Sequence, residues 1–177
     1  RKVLIICVGD QDPINRRGSP GPILCFMDYL KRIDSLSQYR PDRLYLLCTI
    51  DKPGVSQSTQ KNAEQTRDQL QSEGWAEVYL RQLDVSDPTD YSQLIPEMRK
   101  ALDGIRTEND EQERSAQYII NVSPGTGQME AVWLSFVNAG IMKADLLQVK
   151  PPWIELDETK RVREVDLVPL FESDLIK

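Results

Sequence analysis

Short apolar runs alternate with longer amphipathic ones along this chain. VLIICV (3–8) is apolar at six consecutive positions and is ended by GDQDP, the pattern of a strand buried on both faces. GPILCFMDYLKRIDSL (21–36) places Ile23, Phe26, Met27, Leu30 and Ile33 on one side of a helix. RPDRLYLLCTI opens on a turn and predicts a second strand near 43–49. SQSTQKNAEQTRDQLQSEG (56–74) has helix formers and a glycine stop, but its apolar content is thin, Ala63 and Leu70. It predicts a helix that is largely solvated or set against a partner. AEVYLRQLDV (76–85) reads as a third strand.

DPTDYSQLIPEMRKALDGI carries Tyr91, Leu94, Ile95, Met98, Leu102 and Ile105 at helical spacing. Asp90 is its N-cap, and Pro96 falls in its first turns, where proline does least harm. RTENDEQERSA (106–116) reads as a charged, solvated connection. YIINV follows as a fourth strand, then a helix from Gln128 to Asn138 with Met129, Val132, Trp133, Phe136 and Val137 on its inner stripe. Gly140 sits where a left-handed residue closes a helix. ADLLQV (144–149) is a fifth strand. Beyond KPPW, the segments WIEL and RVREVDL are expected to pair as a hairpin across DETKR. The tail VPLFESDLIK is apolar enough to dock or to lead into a following domain.

Five strands alternating with four helices predict an α/β fold: a Rossmann-like three-layer sandwich with a mainly parallel sheet and right-handed crossovers. The expected strand order is 3-2-1-4-5, with a C-terminal hairpin. The expected division is a core over 1–150 and a hairpin and tail over 151–177, the tail leading toward whatever follows. The start at Arg1 reads as a piece of a longer polypeptide.

Composition narrows the chemistry. The 177 residues are 40% hydrophobic and 28% charged, which suits one globular domain. The net charge of −6 opposes broad binding to duplex nucleic acid, leaving room for a small anionic ligand held locally. There is no histidine, which removes the Ser-His-Asp triad, the imidazole base and histidine-ligated metals. Cys7, Cys25 and Cys48 read as reduced core cysteines of a cytoplasmic protein, with no paired-cysteine zinc pattern. No apolar run reaches the ~18 residues of a spanning helix, so no membrane contact is expected of this segment. No cofactor is expected.

In doubly wound sheets ligands bind beyond the carboxyl ends of the strands, where the strand order reverses. For this order the reversal lies between the first and fourth strands. The loops leaving them are GDQDPINRRGSPG (9–21) and SPGTG (123–127), and each feeds a helix. A helix N-terminus offers unpaired amides and partial positive charge to an anion. Gly125 and Gly127 permit close approach of a ligand to the backbone. Ser123 and Thr126 supply hydroxyls, and Gln128 is placed to reach a base edge or a phosphate. On the first loop, Arg16 and Arg17 supply charge, while Asp10, Gln11, Asp12 and Asn15 are candidates for ribose or adenine. Each loop alone reads equally well as a plain turn. GTG is not a dinucleotide fingerprint, and no Walker lysine follows it.

Together the two stretches resemble the CARF domain family, the Rossmann-like sensor domains of type III CRISPR-associated proteins. GDQDPINRRGSPGPIL matches that family's G-x-x-D-P followed by G-P-I/M-L, and NVSPGTGQMEAVWL matches its S-P-G-T-x-Q-M loop and helix start. The resemblance runs over about residues 3–150.

The resemblance implies a homodimeric receptor for cyclic oligoadenylate, a ring of four or six adenylates seated on the twofold axis, which activates an attached effector in antiviral defence. The positions that carry over are Gly9, Asp10, Asp12, Pro13 and Gly21 on one loop, and Ser123, Pro124, Gly125, Thr126, Gln128 and Met129 on the other. Thr49 and Asp51 are expected beside the pocket. The family's HEPN ribonucleases need a histidine, so that activity does not reside in this chain. Some relatives cleave their own ring slowly. Here that would rest on in-line placement of a ribose hydroxyl, with Ser123, Thr126, Thr49 or an arginine assisting. An α/β nucleotide-binding or interaction domain of another kind is the remaining alternative.

Overall fold

A computed structural model describes residues 1–55, 57–111 and 114–167. The sheet consists of β1 (Lys2–Cys7), β2 (Arg43–Thr49), β3 (Val78–Leu83), β4 (Gln117–Asn121), β5 (Asp145–Val149) and β6 (Val162–Glu164). Its order is β3-β2-β1-β4-β5-β6. All pairings are parallel except β5 with β6.

The continuous apolar runs divide their side chains between two cores, because successive residues of a strand point to opposite faces. Val3, Ile5, Cys7, Tyr45, Leu47, Tyr118 and Ile120 face α3 (Tyr91–Asn109) and α4 (Gly127–Asn138). Leu4, Ile6, Val8, Leu44, Leu46, Cys48 and Ile119 face α1 (Pro22–Arg32) and α2 (Gln60–Ser72). Burying each such side chain contributes about 1.5–3 kcal/mol, which makes this three-layer packing the main support of the site above it.

Local chemistry sets the helix ends. Asp90 accepts the Ser92 amide at 2.8 Å and caps α3, and Gly140 follows α4 at φ +71°. The expected helix over 21–36 stops at Arg32. Asp34–Tyr39 continues as a 3-10 helix, where Asp and Ser compete with the helical ladder for hydrogen bonds. Conversely, α3 runs through the expected solvated connection as far as Asn109. The buried Asn109 amide donates to Tyr45 Oη at 2.9 Å and to the Ile105 carbonyl at 2.8 Å, which holds the last turn. The sparse helix α2 buries only Ala63, Thr66 and Leu70 and packs over β2 and β3.

The C-terminal hairpin forms, but its first strand is β5 rather than WIEL. Val149 pairs with Val162 and Leu147 with Glu164. Pro151 starts a turn in which its carbonyl accepts the amides of Ile154 and Glu155, so 151–157 cannot enter the sheet. Trp153, Ile154 and Leu156 are left exposed. The tail 168–177, expected to dock or to lead onward, lies outside the described residues.

Candidate functional site

The reversal point lies between β1 and β4, and the loops that follow these strands converge there. A Cβ built on Gly9 would stand 3.7 Å from the Gly125 amide nitrogen. Beside this junction is a cleft of about 520 Å³, lined by Val8, Gly9, Asp10, Thr49, Gln57, Ser58, Thr59, Asn62, Pro88, Gly125, Thr126 and Met129. That volume lies within the range of small-molecule sites.

The first loop is shaped by Asp12. Its carboxylate is 3% exposed and accepts two amides, Gly9 at 3.1 Å and Ile23 at 2.9 Å. It thereby caps α1 from outside the helix. Burial pushes its pKa up to about 6, the two amide hydrogen bonds pull the other way, and nearby Asp10 adds to the rise. Gly21 is required by this bracket: a Cβ there would lie 2.2 Å from the Gln11 carbonyl oxygen and 2.8 Å from Asp12 Oδ1. Gln11 accepts the Arg16 amide, and Asn15 accepts those of Arg17 and Ser19. The Pro13 carbonyl accepts the Gly21 amide.

The second loop is fixed by Gly125 and Thr126. Gly125 has φ +91°, and an added Cβ would meet Met129 Sδ at 2.9 Å and Cys7 Cβ at 3.0 Å. Thr126 Oγ1 accepts the Met129 amide at 3.2 Å and donates to the Pro88 carbonyl at 3.0 Å. The amides of Gly127 and Gln128, in the first turn of α4, have no acceptor among the described residues, as helix geometry requires. The cleft thus has Gly125, Thr126 and the positive end of α4 on one wall.

Of the third wall, only Thr49 was legible in the sequence. Thr49 Oγ1 donates to the Gln57 carbonyl at 3.0 Å and accepts the Thr59 amide at 2.9 Å. Ser58 Oγ donates to the Thr49 carbonyl. The Asn62 amide nitrogen reaches the carbonyls of Gly9 at 3.3 Å and Asp10 at 3.4 Å, tying α2 to the first loop. The Ser-Thr-Asn density of STQKN at 58–62 was the available signal, since such residues bond nearby backbone.

Of the residues singled out from the sequence, Gly9, Asp10, Thr49, Gly125, Thr126 and Met129 line the cleft. Asp12, Gln11, Asn15, Pro13 and Gly21 instead build the loop. Ser123 Oγ accepts the Val149 amide at 2.7 Å and so extends the β4–β5 pairing. Pro124 is buried behind it. Asp51 is exposed, with its amide held by Gln60 Oε1. Arg16 pairs with Asp10 at 3.3 Å on the surface, and Gln128 is half-buried at the start of α4. Asp10 is the one charged side chain on the cleft wall among the described residues. An anion here would therefore be held by backbone amides rather than by arginine or lysine.

No cluster of three metal-ligating side chains occurs among the described residues. No helix among them is long and apolar enough to cross a membrane.

Fold and cleft together define a Rossmann-like α/β domain with a ligand-sized cleft at its topological switch point. No family model and no curated protein matches the sequence. Among solved structures, the chain matches Enterococcus italicus Csm6 bound to cyclic hexa-2'-fluoro-hexa-dAMP, with a TM-score of 0.67 and 16% identity. The alignment covers 98% of this chain and 44% of the Csm6 chain. At that identity the likeness establishes the fold, and it is consistent with the CARF domain that the sequence motifs resemble. The chain spans less than half the length of that Csm6.

Proposed function

We propose that this chain is a receptor for cyclic oligoadenylate in type III CRISPR defence, acting as a homodimer whose occupancy controls an effector domain. The observation that carries this reading is the meeting of the Gly9 and Gly125 loops at the switch point, beside the free amides that open α4. Phosphates of the ring lie on those amides, and bases enter the cleft between β1, β2 and β4. A ring of four or six nucleotides is larger than one cleft. Two copies related by a twofold axis would each take half of it, because an even-numbered ring shares that symmetry. The fold shared with Csm6, solved with a cyclic hexanucleotide, supports the same ligand class.

Calorimetric titration and thermal melting with cyclic tetra- and hexaadenylate test this. Binding of one ring should saturate at one ring per two chains. At a free concentration 100 times Kd, it should stabilise the fold by about 2.7 kcal/mol. No heat and no shift in Tm with either ring would sink the proposal.

A further inference from the structure

We infer that Asn62 sets the base preference of this cleft, selecting a base edge that presents an amino group, as adenine does, over one that presents a carbonyl. The inference rests on the receptor reading above and adds the residue that decides which nucleobase is accepted.

Most polar side-chain atoms on the cleft wall are already engaged within the protein. Thr126 Oγ1 is spent on Met129 and Pro88. Thr49 Oγ1 and Thr59 Oγ1 hold the loop after β2. Ser58 Oγ donates to Thr49 and accepts the Gln60 amide. The side chains of Gln57 and Asn62 remain, together with Asp10 at the rim. Gln57 has no partner for either end of its amide among the described residues, so it can turn to present a donor or an acceptor. It tolerates either kind of base edge.

Asn62 lacks that freedom. Its Nδ2 donates to the Gly9 and Asp10 carbonyls, 3.3 and 3.4 Å away. Those two acceptors fix which end of the amide is nitrogen, because a flipped amide would set oxygen against two oxygens. Oδ1 has no donor among the described residues, so Asn62 offers the cleft an acceptor. Adenine presents an amino donor at N6, whereas guanine and hypoxanthine carry the acceptor O6 at that position. Acceptor against acceptor leaves both groups desolvated and unpaired. Asp10 also carries acceptor oxygens, but its side chain is 72% exposed and paired with Arg16, where water can compensate a mismatch.

The test compares affinities for cyclic oligoadenylate and for the ring of the same size built from inosine, with wild type, Asn62→Ala, Asn62→Asp and Asp10→Asn. Wild type should prefer the adenylate ring by about tenfold, the discrimination of one matched base contact. Asn62→Ala should weaken both rings, since the first loop loses its tie to α2, and bring the ratio of the two affinities close to one. A purely structural clamp would leave that ratio unchanged. Asn62→Asp keeps an acceptor while giving up the tie, so it should bind more weakly and retain the preference. Asp10→Asn should keep the wild-type ratio.

An Asn62→Ala protein that retains the preference overturns the inference, as does an Asp10→Asn protein that loses it. A wild type that binds both rings equally overturns the inference and leaves the receptor reading standing. A wild type that binds neither ring overturns both.

Discussion

Asp12 Oδ1 accepts the amide of Ile23 at 2.9 Å, so the first turn of α1 is capped by a carboxylate eleven positions upstream. The same carboxylate holds the Gly9 amide through its other oxygen. One buried charge therefore fixes both the loop that lines the cleft and the helix behind it.

This bracket makes stability depend on pH in a definite direction. The folded pKa of Asp12, about 6, lies above the ordinary value of 3.8. The folded state therefore binds the proton more tightly, and the stability Asp12 contributes is full below pH 3.8 and lost as pH rises through about 6. Melting wild type and Asp12→Asn between pH 4 and pH 7 should show the wild-type advantage shrinking with rising pH. An advantage that grows with pH would contradict the assignment.

Three glycines should respond differently to alanine. At Gly21 the new Cβ meets a backbone oxygen at 2.2 Å, so Gly21→Ala should be the most damaging and displace the first loop. At Gly125 it meets Met129 Sδ and Cys7 Cβ near 3 Å and the backbone is left-handed, a cost of about 1–3 kcal/mol. At Gly127 nothing lies within 4 Å, and Ala should be neutral or stabilising by up to about 1 kcal/mol. Urea denaturation of the three variants gives the order directly.

Thr126→Val keeps the shape of the side chain and removes the hydroxyl that caps α4 and reaches Pro88. The expected loss is about 0.5–2 kcal/mol, measured by chemical denaturation, with Thr126→Ser recovering most of it. Valine at wild-type stability would mean that the cap contributes nothing.

Arg161 anchors the segment between β5 and β6. Its guanidinium donates to the carbonyls of Glu155 and Leu156 and to Tyr29 Oη on α1. Arg161→Ala should free residues 151–157, seen as faster proteolytic cleavage beside Trp153 and faster hydrogen exchange at Val162–Glu164. Exchange in β1 should stay as slow as in wild type.

Burial pushes the Cys7 thiol up to about 12 and Cys48 up to about 11. Cys25 is raised as well, chiefly by burial, but it is only half-buried. In the native protein near pH 8, thiol reagents should label Cys25 alone, and slowly, with Cys7 and Cys48 reacting only on unfolding. Mass spectrometry of labelled peptides decides this.

The apolar pattern by itself determined the five parallel strands, the four helices between them and their alternation, but not where α1 and α3 end, nor that β5 rather than WIEL pairs with β6. The central strands are fully buried, so each reads as an uninterrupted apolar run such as VLIICV, and α/β alternation restricts the topology to a parallel sheet. The two glycine-rich loops were equally legible, because a sheet of this order brings the ends of its first and fourth strands together. Tertiary structure alone decided which polar residues face the cleft. A sequence shows that Asp12, Ser123 and Asn62 can form hydrogen bonds, but not with which partner. Folding committed Asp12 to the Gly9 and Ile23 amides and Ser123 to Val149. It also carried Asn62, from a helix that looked solvated, across to the first loop. The physical reason is range. Helix and strand formation follow from neighbours a few residues apart, whereas the partner of a polar side chain is set by contacts such as Asn62 to Gly9, fifty-three residues apart, which exist only once the layers have packed.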